Sequence, residues 1–276
     1  FVRYRGVAVA AVATGNYVAG AVWPTFLEII FDTNDWRATY IGIGITCIVT
    51  MLPLAFLLHR RPKVLGHGRV AESMVDSSAL RTIALSPRAL QTLLAVAGVG
   101  CCVAMAMPQV HIVAYCVDLG YGSSRGAEML SLMLTGGIVS RLASGVLADR
   151  IGGVRTVLLS SVLQCVGLFF YLPFDGLMSL YVVSIIFGLS QGGIVPGYAI
   201  IVREYLPAHQ AGHQIGVVLM ATMIGMAVGG LMSGWIYDLT GSYQAAFLNG
   251  IAWNLLNISI LAILLWRTHG PKAVPA

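Results

Sequence analysis

Eight long and nearly charge-free apolar runs dominate the sequence, at residues 6–31, 38–58, 90–117, 126–147, 154–173, 177–202, 215–237 and 245–266. Each run is about long enough to cross a 30 Å hydrocarbon core as a helix. Only 10% of the residues are charged, whereas soluble domains carry about 25%. Because backbone polar groups inside a bilayer must bond to one another, runs of this kind predict helices. The sequence therefore predicts an all-α integral membrane protein with eight transmembrane helices.

The connections between these runs predict the domain organisation. One connection is long, at residues 59–89, and it contains basic residues, two glycines and a serine-rich middle. This composition is typical of a linker between two helical bundles. The other connections are short, which makes sequential helices antiparallel neighbours. We therefore expect two helices in residues 1–58, a linker at 59–89, and a six-helix bundle in residues 90–276.

The distribution of basic residues predicts the orientation in the membrane. If the start of the chain is cytoplasmic, thirteen of the 16 lysines and arginines lie on the cytoplasmic side, Arg37 and Arg125 lie outside, and Arg141 lies within a run. This bias places both ends in the cytoplasm. Because the basic residues fall in loops between apolar runs, the net charge of +5 indicates orientation and not binding of nucleic acid. We expect a bacterial inner membrane protein.

The sequence shows no spacing typical of a metal or cofactor site. The five cysteines lie within or at the ends of apolar runs, without a CxxC pair or a Cys/His set, and are expected to be small buried hydrophobic residues. We expect neither a metal nor a cofactor. The chain starts without Met in a basic segment, which predicts that it is the downstream part of a longer protein.

Residues 188–192 spell G-x-S-x-G, the pattern of a hydrolase nucleophile elbow. That motif requires a turn from a strand to a helix, but this copy lies inside a long apolar run. An intramembrane serine hydrolase would also need a histidine that faces Ser190. We therefore expect that the chain is not an enzyme, with the hydrolase as an unfavoured alternative.

The strongest functional candidate is Arg141, inside the run at 126–147. A charge at this depth costs roughly 2.5–3.5 kcal/mol on insertion scales, so it needs a partner or a cavity. On a helix Arg141 shares a face with Gly137, Ser144 and Gly145, which allows a ligand or neighbouring helix to approach. One hypothesis is that it binds a carboxylate with both arms of its guanidinium. The alternative is that the side chain extends about 9 Å to the headgroups.

Other polar residues within the runs are candidates for lining a substrate cavity. His111 could carry a proton or bind substrate, and it could equally bond to a neighbouring helix. Gln191 and Tyr198 are seven residues apart and share one face of the predicted helix at 177–202, and Asn16 shares a face with Trp23 in the first run. These side chains could line a cavity or form bonds between helices.

The segment Gly145-Val-Leu-Ala-Asp149-Arg150-Ile-Gly152 matches the G-x-L-a-D-R-x-G signature of the major facilitator superfamily. The resemblance makes the first run the fifth of twelve helices, so that residues 1–58 hold the last two helices of the N-terminal bundle. The earlier part of the fold would then be missing. Three longer stretches, GNYVAGAVWP, FGLSQGGIVPGYAIIVREYLP and WIYDLTGSYQAAF, resemble the branch of monocarboxylate porters and oxalate–formate exchangers.

The resemblance implies a secondary transporter that moves a small organic anion, such as a monocarboxylate, by alternating access. In that branch an arginine of the eighth helix binds substrate carboxylate, and Arg141 occupies the matching place. The acidic residue found one turn earlier in animal porters is replaced by Gly137, and the lysine of the oxalate exchangers has no counterpart at 215–237. Proton symport and exchange therefore both stay open. A receptor or sensor on the same fold is the alternative function.

The signature loop carries Gly145, Asp149, Arg150, Gly152 and Arg155. One hypothesis is that it latches one end state of the transport cycle; the alternative is a solvated turn. Asp149 is expected to neutralise the N-terminus of the helix that follows.

Overall fold

The protein is helical along most of the residues that the computed structural model describes, which are 4–31, 35–58, 83, 85–206 and 211–268. The helices of this part are α1 (Arg5–Phe31), α2 (Trp36–Leu58), α3 (Pro87–Asp118), α4 (Ser123–Ile151), α5 (Gly153–Phe170), α6 (Leu177–Gln191), α7 (Ile194–Tyr205), α8 (Ala211–Thr240) and α9 (Tyr243–Thr268). Helices α6 and α7 follow each other within one apolar stretch, Leu177–Tyr205. The nine helices of the described chain therefore give eight stretches that are long and apolar enough to cross a membrane. The predicted all-α membrane fold is confirmed, and most of the predicted linker at 59–89 lies outside the described residues.

Local sequence signals explain several helix ends. Helix α3 begins at Pro87, earlier than the predicted start at residue 90, because the Ser86 hydroxyl accepts a hydrogen bond from the Ala89 amide at 3.2 Å. Proline is well suited to the first turn, where its missing N–H would have no helical partner. A single residue, Gly152, separates α4 from α5 with φ +91°, a backbone conformation that favours glycine.

The predicted single helix at 177–202 is interrupted, which corrects the sequence prediction. Helix α6 ends at Gln191, Gly192 and Gly193 form a turn, and α7 starts at Ile194. Pro196 has no N–H to donate to the carbonyl of Gly192 four residues earlier, so the helical ladder lacks a bond here. Gln191 and Tyr198 therefore lie on two consecutive helices, α6 and α7.

The chain forms two compact units, of which the first comprises residues 1–21 and 79–276. Helix α3 is central in this unit and packs against both α8 and α9, and α4 packs against α6. Its buried apolar side chains form two clusters, one around Leu94, Ile201 and Leu261, and the other around Met133 and Phe247.

Glycines allow the helices of the first unit to pack backbone to backbone. A Cβ atom at Gly188 would overlap the Met133 carbonyl, and one at Gly192 would overlap the Gly137 carbonyl, so α6 lies directly on α4. Gly225 and Gly229 of α8 meet α3 in the same way. These are the close contacts that four-residue spacing of glycine predicts in membrane helices.

The second unit comprises residues 22–78 and contains the end of α1 and all of α2. Apart from Thr39 and Ile43, the side chains described in α2 are exposed, including that of Cys47. Cys47 thus departs from the expectation that all cysteines are buried, whereas Cys101, Cys102 and Cys116 of the first unit meet it.

Candidate functional site

Arg141 lies in α4 with only 4% of its surface exposed. Its Nε donates a hydrogen bond to the carbonyl of Gly192 at 2.8 Å, and one Nη donates to the carbonyl of Ala13. The guanidinium carbon lies 3.9 Å from the centre of the Tyr17 ring, a distance typical of a cation–π contact. The side chain is therefore held inside the protein, between α1 and the turn that follows α6.

The carbonyl of Gly192 is available to Arg141 because of Pro196. In a regular helix this carbonyl would accept from the N–H of residue 196, which proline lacks. A freed carbonyl at membrane depth must find another donor, and the guanidinium supplies it. The contact is possible because Gly192 lies against the backbone of α4 at Gly137 and Arg141.

The other side of Arg141 is covered by α1. Contacts with α4 recur along one face of α1 at three- and four-residue intervals, through Gly6, Ala10, Ala13, Tyr17 and Gly20. Gly6 meets α4 near its C-terminal end and Gly20 meets it further toward its N-terminus, so the two helices run antiparallel. The small residues bring α1 close enough for its Ala13 carbonyl to reach the guanidinium.

Two glutamines extend this polar cluster. The Gln109 amide of α3 donates to the Gln191 side-chain oxygen at 2.9 Å, and Gln109 also contacts the Tyr17 side chain. Gln191 is fully buried, and its amide nitrogen has no hydrogen-bond partner among the described residues. We call Tyr17, Gln109, Arg141 and Gln191 the Arg141 cluster.

The Arg141 cluster carries a positive charge that no carboxylate of the described chain neutralises. The groups that act on the guanidinium are the Tyr17 ring and two carbonyls, whereas the exposed Arg125 of the same helix pairs with Glu128 at 3.1 Å. Desolvation of an unpaired cation is costly. Carbonyl dipoles and an aromatic face offset part of this cost, and an anion would offset more.

A crevice continues from Arg141 toward the signature loop. It is lined mainly by small side chains and backbone, among them Ala10, Ser144, Gly145 and Gly193. The crevice is too narrow to admit a water molecule. The contact of α1 with α4 thus closes this side of the cluster.

Three of the predicted substrate residues in the first unit, His111, Tyr198 and Asn16, are not members of the Arg141 cluster. The His111 Nε2 is 2.9 Å from the Gly230 carbonyl on α8, so this nitrogen is the protonated one, because a carbonyl can only accept. The Tyr198 hydroxyl donates to the Asn257 side chain of α9 at 2.7 Å. Asn16 is exposed, and Trp23, in the second unit, is 42% exposed.

Of the predicted candidates, the structure brings together Arg141 and Gln191. Sequence reasoning missed Tyr17 as a contact of the guanidinium and Gln109 as a partner of Gln191. Two signals could have found such contacts. Pro196 marks the carbonyl that lacks its helical donor, and the small residues at 6, 10, 13 and 20 mark the face of α1 on which Tyr17 lies.

In the signature loop, Asp149 contacts a different helix from the one expected. Its carboxylate accepts from the amides of Gly6 at 2.7 Å and Val7 at 3.2 Å, in the first turn of α1. The following helix, α5, is instead capped by Glu204, whose two oxygens each lie 3.0 Å from the Gly153 amide. The prediction that Asp149 neutralises α5 is wrong, because the open N-terminus of α1 is within its reach.

The remaining loop residues have different surroundings. A Cβ at Gly145 would overlap Gly6 and Ala10, so this glycine permits the contact of α1 with α4. Arg150 and Arg155 are exposed. The Ser190 hydroxyl of the G-x-S-x-G pattern donates to the Phe187 carbonyl of its own helix at 2.6 Å, as serines in membrane helices commonly do.

Comparison with known proteins defines the class. The sequence model of the Major Facilitator Superfamily matches residues 2–177 and 118–276, and the chain belongs to this family. Monocarboxylate transporter 13 of Bos taurus is 24% identical over 272 residues, covering 96% of this chain and 61% of that protein. Monocarboxylate transporter 13 of Rattus norvegicus is 29% identical over 160 residues, covering 57% and 37%. The chain thus spans between about a third and three fifths of the length of these relatives.

A solved structure shares the fold. The crystal structure of the Major Facilitator Superfamily transporter FucP in the outward conformation superimposes with a TM-score of 0.63 at 13% identity, over 94% of this chain and 68% of that chain. The predicted family, and its likeness to the monocarboxylate transporter branch, are confirmed.

Proposed function

We propose that this chain is part of a secondary transporter that moves a small organic anion, a monocarboxylate, by alternating access. Transport is driven by protons or by exchange. The protein resides in a bacterial inner membrane with both ends of this chain in the cytoplasm, and residues 1–58 and 90–276 belong to its two bundles. The names of its monocarboxylate transporter relatives support this class of substrate.

One observation supports the proposal most strongly. The buried guanidinium of Arg141 contacts two backbone carbonyls and the Tyr17 ring. A carboxylate in place of one of these neutral groups would bind the guanidinium more strongly. An arginine remains charged at any workable pH. Its planar fork matches the two oxygens of a carboxylate, and such charge-assisted bonds are about twice as strong as neutral ones. A substrate carboxylate is therefore a counter-ion that suits this site.

The same contacts suggest how binding changes the conformation. Ala13 and Tyr17 belong to α1, whereas Arg141 belongs to α4, so the guanidinium ties the two helices together. An anion that binds the guanidinium competes with the Ala13 carbonyl. Binding thereby weakens the contact of α1 with α4 and favours opening of the crevice, which is a shift between two conformations through differential contacts.

The signature loop would act on the same pair of helices. Asp149 holds the first turn of α1 against the end of α4, where a carboxylate is stabilised by the helix dipole. We propose that this contact is the latch of the conformation with the crevice closed. It must break for α1 to separate from α4.

Replacement of Arg141 tests the proposed function. Arg141→Gln should lower uptake of the transported carboxylate by more than about 100-fold, because removal of one partner of a buried charged pair costs roughly 3–5 kcal/mol. Arg141→Lys keeps the charge without the fork and should lower uptake by about tenfold. The measurement is uptake of a panel of mono- and dicarboxylates by the intact protein in liposomes, at matched reconstitution.

Arg125→Gln is the matched control, since Arg125 lies on the same helix but is exposed and paired with Glu128. Its uptake should stay within about twofold of the parent, because exposed ion pairs contribute little. Uptake by Arg141→Gln at the parent rate would refute the anion site.

A further inference from the structure

A groove lies in the surface of the first unit, where α5 ends and α6 begins. Its volume is about 410 Å³, and the residues that line it include Phe170, Phe174, Met178, Val182 and Ile186. The groove is open at the surface, since Met178 is 77% exposed and Val182 is 49% exposed. We call these five residues the α6 groove. None of them belongs to the Arg141 cluster.

The α6 groove has the position and length of a lipid acyl chain. The stretches Gly153–Phe170 and Leu177–Tyr205 are each able to cross a membrane, so the connection between them lies at one face of the bilayer. From that face the groove follows α6 toward the midplane. Met178 and Ile186 are eight residues apart, which is about 12 Å along a helix, and the hydrocarbon of one leaflet is about 15 Å thick. The open side of the groove therefore faces hydrocarbon through most of one leaflet.

The charge at the end of the groove near the connection is negative. Asp175 directly follows Phe174, is exposed, and has no ion-pair partner among the described residues. Its position is fixed by Tyr121, whose hydroxyl donates to the Asp175 carbonyl at 3.1 Å. Arg125, at the start of the neighbouring α4, is already paired with Glu128 at 3.1 Å. A free carboxylate at this place attracts an ammonium group and repels an anionic headgroup.

We propose that the α6 groove binds one phospholipid with an ammonium headgroup. One acyl chain lies along α6, and the ammonium lies at the Asp175 carboxylate. The lipid comes from the leaflet at the connection of α5 and α6, which is the outer leaflet in the orientation proposed above. The site takes a membrane lipid and not the transported anion, so it is independent of Arg141.

Two physical terms make this lipid preferred over its neighbours in the bilayer. Lipid tails are as apolar as the groove, so entry of a chain gains no hydrophobic free energy inside the membrane. An unfilled groove, however, loses dispersion contacts that a chain restores. The headgroup then decides which lipid stays, through its charge next to Asp175.

Titration of the intact, delipidated protein in detergent tests the inference. The probes are phosphatidylethanolamine and phosphatidylglycerol with identical acyl chains, and the lipid bound per protein is counted by native mass spectrometry. The parent should bind phosphatidylethanolamine about two- to fivefold more tightly, as expected for an exposed ion pair. The midpoint of thermal unfolding should rise with the concentration of this lipid, because a ligand of the folded state stabilises it.

Replacement of Asp175 tests the headgroup. Asp175→Asn should bring the ratio of the two affinities close to one, because it removes the charge from an exposed position. Asp238→Asn is the matched control, since Asp238 is an exposed acid at the end of α8, and it should leave the ratio unchanged. A ratio that stays at the parent value in Asp175→Asn would overturn the assignment of the ammonium to Asp175.

Replacement of Val182 tests the groove. Val182→Trp fills the groove with an indole ring and should weaken binding of both lipids by about tenfold, the contribution of roughly two buried methylene groups in detergent. Leu255→Trp is the control, since Leu255 is 51% exposed on α9, and its lipid binding should equal that of the parent.

The remaining outcomes are also decisive. Equal affinity of the parent for the two lipids, or unchanged binding in Val182→Trp, would refute the lipid site. If the parent is a dimer in detergent and Val182→Trp is a monomer, a second copy of the chain occupies the groove and the inference is wrong. Arg141→Gln should bind both lipids like the parent, so a failure of the anion site leaves these results unaffected.

Discussion

Two buried polar clusters of this protein differ in how completely their hydrogen bonds are satisfied. In the first, Tyr198, Asn257, Ser161 and Asn254 join α7, α9 and α5, and both asparagine amides have acceptors. In the second, the Arg141 cluster, a cation is held by carbonyls and a ring, and an amide nitrogen has no partner among the described residues. A network with paired groups stabilises one structure. A cluster with surplus donors is suited to a ligand.

The two clusters also differ in the helices that they connect. The Asn257 network lies in a region where α5, α7 and α9 pack through buried apolar side chains. The Arg141 cluster includes the contact of α1 with α4, which depends on glycines, the Ala13 carbonyl and the bonds from Asp149 to the first turn of α1. The hydrogen bonds from Arg141 and Asp149 to α1 can be exchanged for bonds to a ligand or to water. We therefore expect conformational change at the α1–α4 contact and rigidity around Asn257.

Breaking the Asn257 network should have the largest effect on stability. Asn257→Leu removes three hydrogen bonds, to Tyr198, Ser161 and Asn254, and bonds between membrane helices average about 0.6 kcal/mol each. We expect a loss of roughly 2 kcal/mol, seen as a lower midpoint of thermal unfolding in detergent. The substrate preference of the remaining folded protein should equal that of the parent. A changed preference would mean that the network is part of the binding site.

Replacement of Asp149 should change the rate of transport, whereas replacement of Asn257 should change stability. Asp149→Asn should lower the transport turnover by about two- to fivefold with little change in substrate affinity, because a charge at a helix N-terminus contributes about 0.3–1 kcal/mol. Turnover and affinity are both measured with the intact protein in liposomes. The matched variant is Glu204→Gln, since Glu204 caps α5 in the same way, and its turnover should stay close to that of the parent. Equal turnover in Asp149→Asn and the parent would show that the signature loop only connects α4 to α5 and does not act as a latch.

The smallest expected effect comes from Pro196→Ala. The new N–H can bond to the Gly192 carbonyl, which then competes less well for Arg141. The guanidinium becomes more available, so the anion should bind about two- to threefold more tightly, as measured by titration of purified protein with the transported carboxylate. Pro53→Ala in α2 is the control and should leave the affinity unchanged. Weaker binding in Pro196→Ala would show that the Gly192 contact orients Arg141 for the anion and does not compete with it.

Much of the fold could be predicted from the sequence, and the errors have physical causes. The eight membrane-crossing stretches were predicted correctly, but the break between α6 and α7 was not, because Gly192, Gly193 and Pro196 are also tolerated inside membrane helices. Asp149 was assigned to α5 because that helix follows in the chain. A loop carboxylate can bond to any helix N-terminus that packs nearby, and sequence distance carries no information about which one does.

The membrane-spanning helices and the presence of a cation within one of them, at Arg141, could be read from the residues of each segment. Both depend on the cost of placing that segment or charge in hydrocarbon, which is a local property. The groups that surround the cation could be identified only from the packed structure. The Ala13 and Gly192 carbonyls lie 128 and 51 residues from Arg141 along the chain, and Gln109 lies 82 residues from Gln191. Such partners are chosen by how glycine-lined helix faces pack, a property that no single segment contains.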